Sequence, residues 1–291
     1  MKLRTMIRHG LRTTLLLTIG ATIISCNLYG RKTGKGNVLY LDEPSKTEAK
    51  VQNVQPLEKD SASISYEVPA LRKNSGEIIL HRKGYTVSYN PTTKIPNWVA
   101  WHLTADHTSG QAKRKDVEFH EDTDVPEPRA NTFDYMQSGY DRGHMCPAGD
   151  NKWDMEAMEQ SFLFSNICPQ NHNLNTGDWN GMEQQCRWWA KDFGDIYIVC
   201  GPILFNQKRK TIGKNKVVVP EAFFKVVLCM KGTPKAIGFI YRNAEGGRPW
   251  GDYVNTVDQV ERITGLDFFP SLPDSIENKV EAHADLNEWP K

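Results

Sequence analysis

What the chain lacks narrows its function first. No G-x-x-x-x-G-K-[ST], G-x-S-x-G, H-E-x-x-H or Cys-x-x-Cys occurs, no G-x-G-x-x-G opens a helix, and no segment repeats. Those absences argue against P-loop, α/β-hydrolase, zincin, thioredoxin-like and Rossmann chemistry, and against a solenoid. No apolar run approaches the roughly 20 residues that span a bilayer as a helix. Neither sign of charge dominates: 36 Lys and Arg stand against 35 Asp and Glu, a formal charge of +1. With 39% hydrophobic and 24% charged residues the composition is globular, which excludes wholesale disorder, collagen and coiled coil.

The start of the chain is short of acids: none precedes Asp42. Lys2, Arg4, Arg8 and Arg12 lead into an apolar run over 13–24. A basic segment followed by a short apolar one reads as an export signal over residues 1–25. Ile23-Ile24-Ser25-Cys26 resembles a bacterial lipobox, which implies lipidation at Cys26 and an exported protein held to the bacterial cell envelope by lipid. Without the first 25 residues the chain has 32 basic and 35 acidic side chains, so a site for a polyanion must be a local patch. Lys113–Lys115 and Lys208–Lys210 are the basic clusters. If Cys26 carries lipid, Cys146, Cys168, Cys186, Cys200 and Cys229 remain, and an odd number leaves at least one thiol outside any internal pair.

Residues 26–70 lack apolar periodicity and read as a flexible tether, leaving 71–291 for the folded domain. Alternation at Tyr85, Val87 and Tyr89, a turn at 90–96 and the run Trp98–Leu103 predict a hairpin. Residues 104–139 are polar and loop-rich. Helices are expected over Trp153–Phe162 and over Thr176–Asp192, the second from Trp179, Met182, Cys186 and Trp189 at spacings of three or four. Strands are expected at Ile196–Cys200, Phe223–Met230 and Ala236–Tyr241, and a capping box, Thr256-x-x-Gln259, opens a helix that stops at Gly265. Helices and strands without regular βαβ alternation predict an α+β fold with a mixed or antiparallel sheet core.

Polar chemistry concentrates between Tyr140 and Arg187. His144 is a base near neutral pH, Arg142 a permanent cation suited to phosphate, and Asn175 either a helix cap or an oxygen ligand for a hard cation. Glu183 and Arg187 lie four apart on one helix face. A base, a hard-metal ligand, an outer acid and guanidinium groups suit phosphodiester hydrolysis. A second reading takes His144, Cys146, Cys168 and His172 as four zinc ligands.

Asp141-Arg142-Gly143-His144 with Pro147 resembles the D-R-G-H-x-x-P signature of the DNA/RNA non-specific endonuclease family, a branch of the ββα-metal finger nucleases. Ser165-Asn166-Ile167-x-Pro169-Gln170 resembles the family's S-N-x-x-P-Q block, and Leu174-Asn175 with Trp179 and Glu183 its L-N-x-x-x-W-x-x-x-E helix. Pro96-x-Trp98-Val99 and Lys113-Arg114 with Phe119 resemble further segments more loosely, and the likeness spans 84–275. The resemblance implies a ββα-metal finger site and a nuclease that uses Mg²⁺, with Mn²⁺ able to substitute, to cut DNA and RNA to 5′-phosphates. It implies His144 as general base, Asn175 as the direct metal ligand and Glu183 as a ligand through water. Arg142, Arg114 and Lys115 face the substrate, and Asn166 and Arg187 support the site. Cys146 and Cys168, inside the motif blocks, could crosslink the finger. Two alternatives remain: a nuclease fold that only binds nucleic acid, and a zinc-stabilised envelope lipoprotein. DNA and RNA are the expected partners, the membrane is met through the lipid alone, and no protein partner is inferred.

Overall fold

The computed structural model describes residues 65–71 and 76–290. The expected signal, Cys26 and the tether up to residue 64 lie outside the described residues. In chain order, strands β1 (Ile78–His81), β2 (Thr86–Asn90) and β3 (Ile95–Thr104) come first. Helix α1 (Thr132–Tyr135), strand β4 (Asp141–His144), helix α2 (Met155–Gln160), strand β5 (Ile167–Gln170) and the single turn α3 (His172–Leu174) follow. Next are α4 (Asn180–Phe193), β6 (Asp195–Ile203), β7 (Thr211–Ile212), β8 (Val217–Val218), β9 (Ala222–Cys229) and β10 (Lys235–Arg242). The strand β11 (Val254–Asn255) and helices α5 (Val257–Thr264) and α6 (Asp274–Glu281) complete the order.

One seven-stranded antiparallel sheet, ordered β1-β2-β3-β6-β9-β10-β11, forms the middle layer. Successive side chains alternate between its faces. Val99, Trp101 and Leu103 of β3 enter one core, with Trp179 just before α4 and with Met182, Cys186 and Trp189 of α4. Trp98 and Ala100 enter the other, with Val257 and Val260 of α5 and Val280 of α6. Because helices cover both faces, β9 is buried at all eight positions and reads as an apolar run broken only by Lys225, not as an alternation. The fold class is α+β, as the sequence predicts.

The predicted hairpin, the three later strands and the capped helix are present. Thr256 accepts from the Gln259 amide, the Gln259 side chain accepts from the Thr256 amide, and Gly265 ends α5 at φ 65°. Two helices differ from expectation. Asp154 caps the earlier one by accepting from Ala157, so it runs only over Met155–Gln160. The later one does not begin as a regular helix at Thr176. A wide π-helical turn spans Asn175–Trp179, with Gly177 out of helical geometry at φ −99°, ψ −107°, before α4 begins. Asn171, not Asn175, caps this segment by accepting from the Asn173 and Leu174 amides. The crosslink suggested for Cys146 and Cys168 is also corrected. All five cysteines among the described residues are free buried thiols, embedded in packing that brings no two sulfurs into a bond.

Candidate active site

Strands β4 and β5 pair antiparallel outside the main sheet, with Asp141 opposite Gln170 and His144 opposite Ile167. Gly143 must be glycine here, since a Cβ would collide with the Gln170 side chain. The chain then runs from β5 through α3 and the π turn into α4, so a two-stranded ribbon feeds a helix. The Trp179 indole Nε1 donates to the His144 carbonyl at 3.1 Å and ties ribbon to helix. Asn166 lies behind the ribbon, fully buried. It accepts from the Cys146 amide at 2.9 Å and donates to the Cys146 and Ser161 carbonyls, both at 2.8 Å.

A cleft of about 800 Å³ opens along this unit. His144, Arg142, Asn175, Glu183, Arg187, Arg114 and Lys115 all line it, whereas Asn166 does not. With Lys113 and Lys152 the cleft walls carry six cationic side chains against the single acid Glu183. The wall residue Arg187 does not pair with Glu183, as their spacing allows. It donates to Asp150 Oδ1 at 2.8 Å, and Trp101 donates to Asp150 Oδ2 at 3.1 Å. Gly149 leaves room for that guanidinium, which would sit 2.7 Å from a Cβ there.

His144 is boxed by aromatic rings, Phe162 edge-on at 4.9 Å and Phe119 at 5.2 Å between centres. The Arg142 guanidinium lies 4.5 Å over the Phe119 ring and Arg114 lies 5.6 Å over Phe162. Burial, then the Arg114 and Arg142 charges, push His144 down to about 3, so its ring is neutral at physiological pH. Its Nε2 is closed from solvent and meets no hydrogen-bond partner among the described residues, which leaves Nδ1 as the nitrogen that can address the cleft.

Asn175 is oriented from across the ribbon. Its Nδ2 donates to Asp141 Oδ2 at 2.9 Å, and His172 Nδ1 meets the same oxygen at 2.9 Å. A carboxylate only accepts, so the amide must turn its nitrogen to Asp141 and its Oδ1 away. Glu183, one helical stretch on, makes no hydrogen bond or ion pair to the protein among the described residues, and burial pushes its carboxyl up to about 7 against the pull of Lys225, Arg187 and Arg114. An amide oxygen and an uncommitted carboxylate, with no thiolate beside them, fit a hard divalent cation that keeps most of its water.

The zinc set is not assembled. Among the described residues His144, Cys146, Cys168 and His172 form no cluster of ligand atoms. His172 is committed to Asp141, and Cys168 stands opposite Gly143 in the ribbon. Three residues here had no role in the sequence reading: Asp141, Asp150 and Lys225. The first two stand in the polar stretch between Tyr140 and Arg187, but their partners lie 34 and 37 positions away. Lys225 is fully buried in β9, its Nζ without a hydrogen-bond partner among the described residues, 4.4 Å over the Trp179 ring and 5.2 Å over Trp101. A single lysine inside the apolar run Phe223–Met230 was its only signal.

A ribbon and helix arranged in this way, with His, Asn and Glu on one cationic cleft, define a ββα-metal finger protein. The chain belongs to the DNA/RNA non-specific endonuclease family, whose model matches residues 65–275. It is 38% identical to mitochondrial nuclease EXOG of Xenopus laevis, covering 78% of this chain and 66% of that one. It is 31% identical to mitochondrial endonuclease G of Homo sapiens (66% and 69% covered) and 37% identical to nuclease C1 of Cunninghamella echinulata (66% and 83%). The matched stretch spans 56–66% of the length of the EXOG relatives. The solved complex of EndoG with EndoGI superposes with a TM-score of 0.66 at 28% identity, over 72% of this chain and 90% of that one.

The relatives correct one expectation. EXOG and endonuclease G are mitochondrial proteins of animals, which points away from a bacterial, lipid-anchored envelope location. A basic start without acids is common to export signals and mitochondrial transit peptides, so that composition did not separate them. Nor do the comparisons support the non-catalytic alternatives, since the matched relatives are nucleases.

Proposed function

We propose that the chain is a divalent-metal-dependent endonuclease that hydrolyses phosphodiester bonds of DNA and RNA without reading sequence. Mg²⁺ is the ion we assign, with Mn²⁺ able to replace it, and the products carry 5′-phosphates. The observation that carries this reading is the grouping in the cleft: the His144 imidazole stands among six cationic side chains, beside the Asn175 amide and a Glu183 carboxylate without a protein partner among the described residues.

In this reading the backbone phosphate settles between Arg142 and Arg114, with Lys115 on its approach. Stacking on Phe119 and Phe162 holds both guanidiniums against the phosphate charge. His144 Nδ1 takes a proton from water as the water oxygen attacks phosphorus, and the bond to the 3′-oxygen breaks. A neutral ring is required for that step, and burial with the Arg114 and Arg142 charges disfavours the protonated form. Asn175 Oδ1 and, through water, Glu183 would hold the cation, which when bound supplies Lewis-acid stabilisation of the leaving oxygen and of the phosphate charge. Arg187, braced on Asp150, adds positive charge from the wall, and Asn166 fixes the backbone that carries His144. Contacts to phosphate carry no base identity, which supports the absence of sequence preference.

The test is degradation of supercoiled plasmid and of structured RNA by the full chain. Cleavage should occur with MgCl₂ and stop with EDTA, and products should be ligatable without kinase treatment. Binding without cleavage under every metal tried would overturn the reading.

A further inference from the structure

Across the sheet from the cleft, α5 and α6 bring three carboxylates together. Asp258 and Glu261 are three apart on one face of α5, and Glu281 ends α6. One oxygen of each lies within 4.8 Å of the others. Oxygens sharing a Ca²⁺ at about 2.4 Å can be no more than about 4.8 Å apart, so one ion could touch all three. Glu281 is only 6% exposed, and its Oε1 is closed from solvent without any hydrogen-bond partner among the described residues. Glu261 Oε1 accepts the Phe268 amide at 2.8 Å, which holds that carboxylate in place. None of the three forms an ion pair among the described residues, and Asp267 and Glu277 add negative charge nearby.

We propose that Asp258, Glu261 and Glu281 form a second divalent-cation site, best suited to Ca²⁺, that fastens α6 to α5. A buried carboxylate oxygen with no donor is costly unless something positive meets it. Burial and the neighbouring carboxylates push Glu281 up to about 8, as expected where negative charge gathers without a counter-ion. All-oxygen ligands and several carboxylates match Ca²⁺, which accepts irregular sets completed by water. The ion bridges two helices of the C-terminal layer and stands apart from every residue assigned to hydrolysis.

The experiment uses the full chain carrying Asn175→Ala, so that cleft binding does not contribute. Calorimetric titration with CaCl₂ should find one site, and 10 mM CaCl₂ should raise the melting temperature. Adding Glu281→Gln should weaken Ca²⁺ at least tenfold and abolish that thermal shift. Asp258→Asn, at a half-buried position, serves as the second variant if Glu281→Gln does not fold. With Asn175 restored, Glu281→Gln should cut plasmid in MgCl₂ as the unaltered chain does. That separates failure here from failure of the nuclease reading. No Ca²⁺ site in the Asn175→Ala chain would overturn the proposal. So would equal affinity in the Glu281→Gln variant. A variant more stable than its parent, with no thermal shift in either, would overturn it too, and would mean that Glu281 is simply protonated.

Discussion

Asp141 Oδ2 receives the Asn175 side-chain amide at 2.9 Å across 34 residues, and so decides which end of that amide faces the cleft. The first residue of the ribbon thereby aims a residue of the π turn. Asp141→Ala should leave Asn175 in place but free to rotate. Outer partners of this kind typically contribute about 10–100-fold in metal affinity. Titration of the variant with MnCl₂ should show a loss in that range with the melting temperature little changed. Undiminished affinity would mean that the π turn alone orients Asn175.

The base and the metal ligand should separate by substitution. His144→Ala removes the proposed base and should cost about 10²–10⁴ in single-turnover cleavage while metal binding survives. Asn175→Ala should lose metal affinity first, with activity partly restored at high metal. Calorimetry beside cleavage kinetics reads both. Equal loss of metal binding in the two variants would make His144 a ligand.

The pH dependence follows from burial of His144. Its folded pKa of about 3 lies below the unfolded value near 6.5. Between those values the unfolded chain takes up a proton that the folded one refuses, so stability falls as pH drops from 6.5 toward 3. One such proton is worth about 1.4 kcal/mol per pH unit. Urea denaturation from pH 6.5 to 4.5 should show that loss, and His144→Leu should flatten it by about one proton. By the same shift, cleavage with saturating metal should show no limb near pH 6.5 from this histidine. On the proposed assignment a limb near 7 at limiting metal would come instead from Glu183, whose carboxyl must lose its proton to hold a metal-bound water.

Salt should act through the cleft alone. Each phosphate contact with duplex DNA contributes about 0.9 to the slope of log affinity against log salt. Lys113→Ala and Lys115→Ala should each lower that slope by about one in filter-binding with CaCl₂ and without cleavage. Lys208→Ala, at a residue that does not line the cleft, should leave it unchanged. An equal fall in all three variants would indicate general surface charge.

The strands β3, β6, β9 and β10 were legible because both faces of the sheet are covered, so they read as apolar runs. The ribbon was legible because Asp141-Arg142-Gly143-His144 and Ser165-Asn166 are contiguous blocks. The start of α4 was not. Periodicity from Trp179 onward extends backward smoothly in sequence, whereas the backbone widens into a π turn that places Asn175 beside Asp141. The partner of Arg187 was hidden too. Glu183 stands at the favoured i, i−4 position, yet the buried Asp150, needing a counter-charge more, takes the guanidinium. Such choices depend on burial, which periodicity does not report for a single polar residue.

Lys225 is the strongest instance. Its ammonium lies between two indole faces, and it acts electrostatically on Glu183 without touching it through any hydrogen bond. Lys225→Met keeps the length of the side chain and its contact with Trp101 and Trp179 but deletes the charge. Glu183 then loses the cation that most strongly opposes the effect of burial, and its carboxyl should rise further above about 7. At pH 7 fewer molecules would present the ionised carboxylate. Divalent-metal affinity should therefore fall by about two- to fivefold, since Glu183 is already only about half ionised at pH 7 and its carboxyl would rise by about half to one further unit. By pH 8.5 most of that deficit should disappear, because Glu183 is again ionised. A purely structural role for Lys225 makes a different forecast, a lower melting temperature with the same affinity deficit at both pH values. MnCl₂ titrations at pH 7 and 8.5 on the chain and on Lys225→Met distinguish the two, and an unrecovered deficit at pH 8.5 would remove Lys225 from the electrostatics of the site.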